Sequence, residues 1–346
     1  IYGCTLIFAN IKNIWRCNFF ICEHTVYINL RKKLCSLYFN GICIRAQTVV
    51  DSPEAFDSQK MILRIFYRLL YSGLLNFIPD KLMISIQFRL LLRRKMNWRE
   101  PKTYNEKLNW LKLHDESERY GKYVDKYQVR DFIAQTIGEE YLVPSLGVWS
   151  SFDEIDLATL PDSFVLKCNH GSHCLVICTD KKNFDIKGAK KKFDSWMKRN
   201  WYWLYRERPY KDILPCIIAE KFIGKEDVVP EDYKVFCYNG VPSIVRVDVG
   251  RYSDDVTYNY YTTDWKRSDL QFTKMSQVDT PRPTCLDEML RQSAVLAKDF
   301  RHVRIDWYVV DGKLYFGEMT FYNAAGYDTD FIRYEDDLRF GANLQL

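Results

Sequence analysis

Glycine and proline are sparse in this chain, 15 and 11 among 346 residues, and neither recurs with a period. Collagen-like and low-complexity architectures are excluded on that ground. No uncharged stretch approaches the roughly 18 apolar residues that a membrane-spanning helix requires. Histidine numbers only five, and no Ser-His-Asp or Cys-His nucleophile arrangement is legible. Cysteine, by contrast, is plentiful. The 11 cysteines are odd in number, repeat no spacing and follow no secretory cleavage pattern, which reads as free thiols in a reducing cytoplasm. Cys168, His170, His173, Cys174 and Cys178 crowd together in sequence, but a second ligand arm is missing. A strand–turn–strand would also splay these side chains, so zinc is not expected there.

What is present is globular material: 47% hydrophobic, 27% charged and 16% aromatic, enough for one large domain or two modest ones. The net charge of +5 is unevenly spread. Residues 1–60 hold 7 Lys/Arg against 4 Asp/Glu and residues 61–100 hold 8 against 2, leaving residues 101–346 at 35 against 39. A basic leader on a mildly acidic body does not describe a nucleic-acid binder, whose basic surface covers the fold. An acidic body still accommodates nucleotides when carboxylates hold a divalent metal.

The first methionine is Met61, and the Cys-rich text before it lacks clean helical or strand periodicity. Residues 1–60 are expected to be an upstream extension, non-native or unstructured; a separate module is the competing reading. Over 61–100, Ile62, Ile65, Phe66, Leu69 and Leu70 recur at helical spacing, with Arg64 and Arg68 on another side. Pro79-Asp80 interrupts, and a second helix runs to about Arg94. A basic amphipathic pair of this kind either rests on an anionic membrane surface or packs on the body with its arginines solvated.

Thr103-Tyr-Asn-Glu106 is a capping box, so a helix starts near Tyr104. A helix over about Lys126–Ile137 ends at Gly138. Strands are expected at Val143–Val148, Phe164–Cys168 and through residue 178, then a long helix over 187–205. Further strands follow at about 216–223, 233–238, 243–249 and 257–261. A helix over 286–300 leads to strands 303–310 and 314–320 around Asp311-Gly312. Helices and mainly antiparallel strands in blocks give an α+β class.

Charged residues inside these strands are the candidates for chemistry. Lys167 ends an apolar strand just before Asn-His-Gly-Ser-His, a small polar turn whose N–H groups suit phosphate. Glu220 and Lys234 interrupt two later strands; edge positions facing water are the plain alternative. Arg304 and Asp306 share one strand face, as do Glu318 and Thr320. Two carboxylates on adjacent buried strands repel unless a cation joins them, which points to Mg2+. A two-residue turn at Asp311-Gly312 would pair residue 305 with 318 and put Asp306 and Glu318 on opposite faces. The pair therefore predicts either a longer loop, with Val310 opposite Leu314, or a bulge.

The ordered set strand-Lys-turn-strand, IAEKF, DYKVFCYNG, VRIDWYVVDG and FGEMTF, with KTYNEKLNWLKLHD and VDKYQVRDFI before it, resembles the ATP-grasp superfamily. Within it the chain is most similar to the TupA-like branch, associated with bacterial surface polysaccharide or teichuronopeptide synthesis; the similarity runs from about Arg68 to Leu346. The resemblance implies an ATP-grasp fold: residues 101–162 as the first part of the body and 163–346 as the core, with a lid lobe over about 163–225 and a metal-binding lobe over about 226–346. It further implies that Lys167 contacts ATP phosphates under the turn His170-Gly171-Ser172-His173, that Glu220 marks the hinge beside adenine and ribose, and that Lys234 is a second phosphate contact. Asp306 and Glu318 would hold Mg2+, with Thr320 where related ligases carry Asn, Asn323 in a segment where Pro and Gly are usual, and Arg304 beside the transferred phosphate. The implied chemistry is ATP-dependent joining of a carboxylate to an amine, or to a glycan substrate, through an acylphosphate. A glycosyltransferase, for which Asp328-Thr-Asp330 is a formal DxD match, and a non-catalytic adaptor at the inner membrane surface are the rival readings.

Overall fold

The computed structural model describes residues 19–22, 25–30, 33–39, 42–45, 53–224, 228–250 and 256–346. Two compact units divide the chain, Ile1–Asn76 and Phe77–Leu346. In the first, β1 (Phe19–Cys22), β2 (Thr25–Leu30), β3 (Lys33–Phe39) and β4 (Ile42–Arg45) pair antiparallel in chain order with β4 returning to β1, and α1 (Pro53–Tyr71) follows. The expectation of an upstream extension over 1–60 falls in large part on residues outside the described set.

The second unit begins with α2 (Asp80–Leu92), α3 (Tyr104–His114), α4 (Gly121–Val124) and α5 (Val129–Thr136). One face of α2, comprising Met83, Ile84, Gln87 and Phe88, is fully buried. Gln87 donates to the Leu204 carbonyl and accepts from the Tyr327 hydroxyl, so this helix spends its inner face on its own unit. No helix among the described residues is long and apolar enough to cross a membrane. At α3 both halves of the capping box form: Glu106 N–H donates to Thr103 Oγ1, and Thr103 N–H to Glu106 Oε2. Helix α5 starts three residues later than its periodicity suggests. Asp125 accepts the N–H groups of Tyr127 and Gln128, holding residues 126–128 in a turn outside the helix.

Next come β5 (Ser145–Trp149), β6 (Phe164–Cys168), β7 (Leu175–Cys178), α6 (Ile186–Trp196), α7 (Tyr202–Tyr205) and β8 (Ile217–Lys221). The four strands form one antiparallel sheet in the order β5-β8-β6-β7. The expected strand from Val143 is displaced to Ser145 because Pro144 has no N–H for the ladder; its carbonyl accepts from Lys221 instead. The single helix expected over 187–205 is in fact two. Asn200 takes the N–H of Tyr202 on its side chain and donates to the Lys211 carbonyl, a local alternative that breaks the helical ladder.

The remainder is β9 (Glu231–Tyr238), β10 (Val241–Val249), β11 (Thr257–Thr262), α8 (Leu286–Ala297), β12 (His302–Val310), β13 (Lys313–Thr320) and α9 (Tyr334–Gly341). Its five strands are antiparallel in the order β11-β10-β9-β12-β13, and the α+β class expected from the sequence is the one observed. Alternation along these strands divides the sheet sharply. One face carries Val235, Cys237, Val245, Val247, Val303, Ile305 and Trp307, all within 1% of full burial, and packs on α8. The Trp307 indole N–H meets its need for an acceptor at Ser293 Oγ on that helix, 2.8 Å away. The other face changes character along β9, from Tyr238 and Phe236, covered by Tyr104 of α3 and Phe340 of α9, to Lys234 and Asp232.

Candidate functional site

Strand register gathers the charged residues. Tyr260, Arg246, Lys234, Asp306 and Glu318 are successive cross-strand partners, one transverse row over all five strands. Glu318 joins the row through a bulge. Asp311 and Gly312, with φ of 53° and 75°, make a two-residue loop, and Val310 pairs with Lys313. The expected pairing of Val310 with Leu314 is thus not found, nor is a longer loop. Instead the register slips next to Asp306: Asp306 faces Glu318 while Trp307 faces Phe316, leaving Gly317 as the extra residue. A Cβ at Gly317 would stand 3.1 Å from the Asp306 carbonyl oxygen, so glycine suits this close approach.

Arg304 is the centre of the group. Its Nε and Nη2 donate to the two oxygens of Asp306 at 2.6 and 2.7 Å, and Nη2 also reaches Glu318 Oε1 at 3.0 Å and Thr320 Oγ1 at 3.1 Å. Nη1 donates to Asn323 Oδ1 at 2.6 Å. Burial opposes the charge on this guanidinium, but Asp306 and Glu318 beside it hold its pKa above the usual value. Lys234 lies 3.1 Å from Asp306 and 3.4 Å from Asp248 and also pairs with Asp232, while Arg246 Nε meets Asp248 at 2.8 Å. Asp306 and Lys234 are each 3% exposed, whereas a third of the Glu318 side chain reaches solvent.

A second group sits on the four-stranded sheet. Lys167 Nζ pairs with Glu220 Oε2 at 2.7 Å, and Arg130 of α5 pairs with Oε1 at 3.2 Å. After β6 the turn is anchored by Asn169, which donates to Asp125 and the Leu214 carbonyl and accepts from Cys216 N–H. His170 is buried, its ring nitrogens 3.1 Å from Asn169 Oδ1 and 3.3 Å from the Trp196 carbonyl, and burial pushes its pKa down. Gly171 packs against the Trp201 indole, while Ser172 and His173 are exposed. Lys126 ties the two groups together, donating to the Gly171 carbonyl at 2.8 Å and lying 3.4 Å from Glu318 Oε2.

Of the residues expected at the site, Arg304, Asp306, Glu318, Thr320 and Lys234 form one network. Lys167 and Glu220 form the second, next to the 170–173 turn. Lys126, Arg130 and Asn323 were not singled out for chemistry. Lys126 and Arg130 lie in VDKYQVRDFI, where a lysine after a capping aspartate and before the helix start is the signal. In the Cys/His crowd near 170, Cys168 Sγ meets the Cys174 thiol and Met197 Sδ, and Cys178 Sγ donates to the Asp162 carbonyl. The DxD match is structural as well. Asp328 accepts from Asn323 and from Asp330 N–H, and is 7% exposed.

A family model described as TupA-like ATPgrasp matches residues 106–345. Similar solved structures include a D-alanine–D-alanine ligase from Bacillus anthracis complexed with ATP, 15% identical, covering 58% of this chain and 55% of that one with a TM-score of 0.37. The ATP-grasp ligase PsnB complexed with minimal precursor is 11% identical over 80% and 76% of the two chains, TM-score 0.35. D-cycloserine synthetase DcsG is 15% identical over 64% and 69%, TM-score 0.36. The chain spans little more than half the length of the Bacillus anthracis ligase. No curated protein matches it.

Proposed function

Because the chain belongs to the TupA-like ATP-grasp family, we propose that it is an ATP-dependent ligase that joins a carboxylate to an amine, acting in bacterial surface polysaccharide synthesis. The observation that carries this reading is Lys126, whose ammonium joins the turn after β6 to the exposed carboxylate of the β12–β13 hairpin. A cation held between the two sheets is in keeping with a triphosphate bound there.

In the reaction so read, a substrate carboxylate oxygen attacks the γ-phosphorus of ATP and ADP leaves. The amine then attacks the acylphosphate carbon, releasing phosphate and a proton. Lys167 and Lys126, the more exposed ammonium groups, hold the phosphate chain, with the N–H groups of 171–173 adding neutral donors. Lys234 is a second phosphate contact, and its three carboxylate neighbours make it also the partner that orients Asp306. Arg304 neutralises the transferred phosphoryl group.

The donor set suits Mg2+: oxygens of Asp306, Glu318 and Thr320 all converge on one cationic point, Arg304 Nη2. These are the residues that would hold the ion, which bound there would draw off phosphate charge as a Lewis acid. The cysteines described at 168, 174, 178, 216, 237 and 285 are free thiols, in keeping with a cytoplasmic setting.

Thermal stabilisation by Mg-ATP compared with Mg-UDP-sugar is the first test, followed by ADP release with a panel of uronic acids and amino acids. Stabilisation by the UDP-sugar alone would replace this reading with the glycosyltransferase one. Stabilisation by neither would leave the adaptor.

A further inference from the structure

Helix α3 buries an unusual stripe. Asn105, Asn109 and Lys112 follow one another at helical spacing and are each 0% exposed, two amides and an ammonium with no solvent to meet their hydrogen bonds. Most of their partners lie in the segment that follows β13. Asn105 donates to the Asp328 carbonyl at 3.1 Å and accepts from Asp328 N–H at 2.6 Å. Asn109 donates to the Gly326 carbonyl at 2.6 Å. Lys112 donates to the carbonyls of Ala325 at 2.7 Å and Tyr205 at 2.9 Å and to Asn109 Oδ1 at 2.9 Å, with the Tyr327 ring 4.5 Å away. All three of its ammonium hydrogens have acceptors.

The segment so held is one the chain would not adopt freely. Ala324, Ala325 and Gly326 have φ of 47°, 51° and 70°, and two successive alanines in the left-handed region need support from outside. A Cβ on Gly326 would come 2.8 Å from the Asn109 amide, a measure of how closely the loop lies on α3. At the head of the same loop Asn323, 2% exposed, accepts from Arg304 Nη1 and donates to Asp328 Oδ2.

We infer that Asn105, Asn109 and Lys112 are positioning residues for Arg304: they hold the 323–328 loop in its left-handed turn, and the loop in turn fixes the guanidinium through Asn323. This rests on the ligase reading for its catalytic consequence, though not for its structural part. The hydrogen bonds from the stripe to the loop go to main-chain carbonyls and one N–H, with the Tyr327 ring beside Lys112. The stripe therefore acts on the guanidinium through the loop backbone.

The test uses the full chain with Lys112→Met, which keeps the stem and deletes the three hydrogen bonds, and with Asn109→Ala. Amide hydrogen exchange over 323–328 should quicken about tenfold or more in Lys112→Met, while β9 and α8 stay as in wild type. Turnover of Mg-ATP, read as ADP release, should fall about tenfold in kcat with KM for ATP within about twofold, since the lost contact serves the phosphoryl transfer rather than nucleotide binding. Adding Asn323→Ala to Lys112→Met should cost little more than either change alone. Unaltered exchange in 323–328 overturns the clamp, and fully additive losses overturn its route through Asn323. If Lys112→Met does not fold, Asn109→Ala carries the same measurements. A wild-type chain that releases no ADP refutes the ligase reading instead, and the exchange data alone then decide the clamp.

Discussion

Asp306, Lys234 and Arg304 on the five-stranded sheet are 3%, 3% and 7% exposed, whereas Ser172 and His173 on the turn after β6 stand in solvent. The first group is set by strand register: Lys234 is the cross-strand partner of Asp306, Arg304 stands two residues along β12 opposite Thr320, and moving one means moving a strand. The turn hangs from Asn169 at its root and from Lys126 at Gly171. Electrostatic geometry is thus built into the sheet as part of its folding, while Ser172 and His173 at the tip of the turn take no part in the register. Substitutions of the buried sheet residues should cost both fold and chemistry, and those in the turn should cost affinity alone.

The strongest way to break that contrast is Arg304→Met. It would leave the buried Asp306 carboxylate without either of its guanidinium hydrogen bonds and Asn323 without its donor. The expected result is a melting temperature lower by roughly 10 °C or more and no measurable ATP turnover. A stable, active variant would show that the guanidinium does not hold the network together. Glu318→Gln is milder, since the exchange is nearly isosteric and relieves repulsion when no metal is bound. The protein should keep its melting temperature within a few degrees but lose about 100-fold or more in Mg-dependent ADP release. Equal turnover in that variant would remove Glu318 from the chemistry.

A third measurement sharpens the sheet side through pH. His302 at the start of β12 is fully enclosed, within hydrogen-bond distance of the Tyr104 hydroxyl at 2.9 Å and the Phe321 carbonyl at 2.7 Å. Burial lowers its pKa to about 4, against an ordinary 6.5. Between those values the unfolded chain holds the extra proton, so the folded state loses stability as pH falls from 6.5 to 4, by about 3 kcal/mol in all. Asp328, raised by burial to about 6, acts in the opposite sense over much of that range. The stability advantage of wild type over His302→Gln, read from urea unfolding at pH 7 and pH 4, isolates the histidine and should shrink by that amount; a constant difference would mean that His302 is not neutral in the fold. The smallest effect belongs to the turn. Ala at Gly171 would overlap the Trp201 indole and displace the turn, raising KM for ATP about tenfold while the melting temperature hardly moves. A large loss of stability there would erase the distinction between the two regions.

Much of this was legible in the sequence because local rules and global fold agree. The capping box at Thr103, the Asp-Gly turn and the alternation along β12 and β13 each dictate their own structure. The requirement that Asp306 and Glu318 share a face even demanded a bulge or a longer loop. It could not say which, because a glycine reads alike in a bulge and in an ordinary strand, and Gly317 stands inside FGEMTF without a marker. The broken helix at Asn200 was missed for a related reason: the aromatic run keeps helical periodicity while one side chain competes for the ladder. Lys126 was invisible as a site residue because its partners, Gly171 and Glu318, are distant in sequence and meet it only through tertiary packing.

The single extra residue in the β12–β13 hairpin also constrains where this hairpin can vary in length. Asp306 faces Glu318 because residues 307–310 and 313–316 match one for one and Gly317 stands outside that match. Loop residues lie outside it too, so the Asp311-Gly312 loop can gain one residue or two and keep the pair facing. A residue added within 313–317 has to be absorbed by a larger bulge or a slip of register. Length differences among homologous hairpins should consequently gather at the loop, a pattern that comparison of natural sequences can read without purifying a protein.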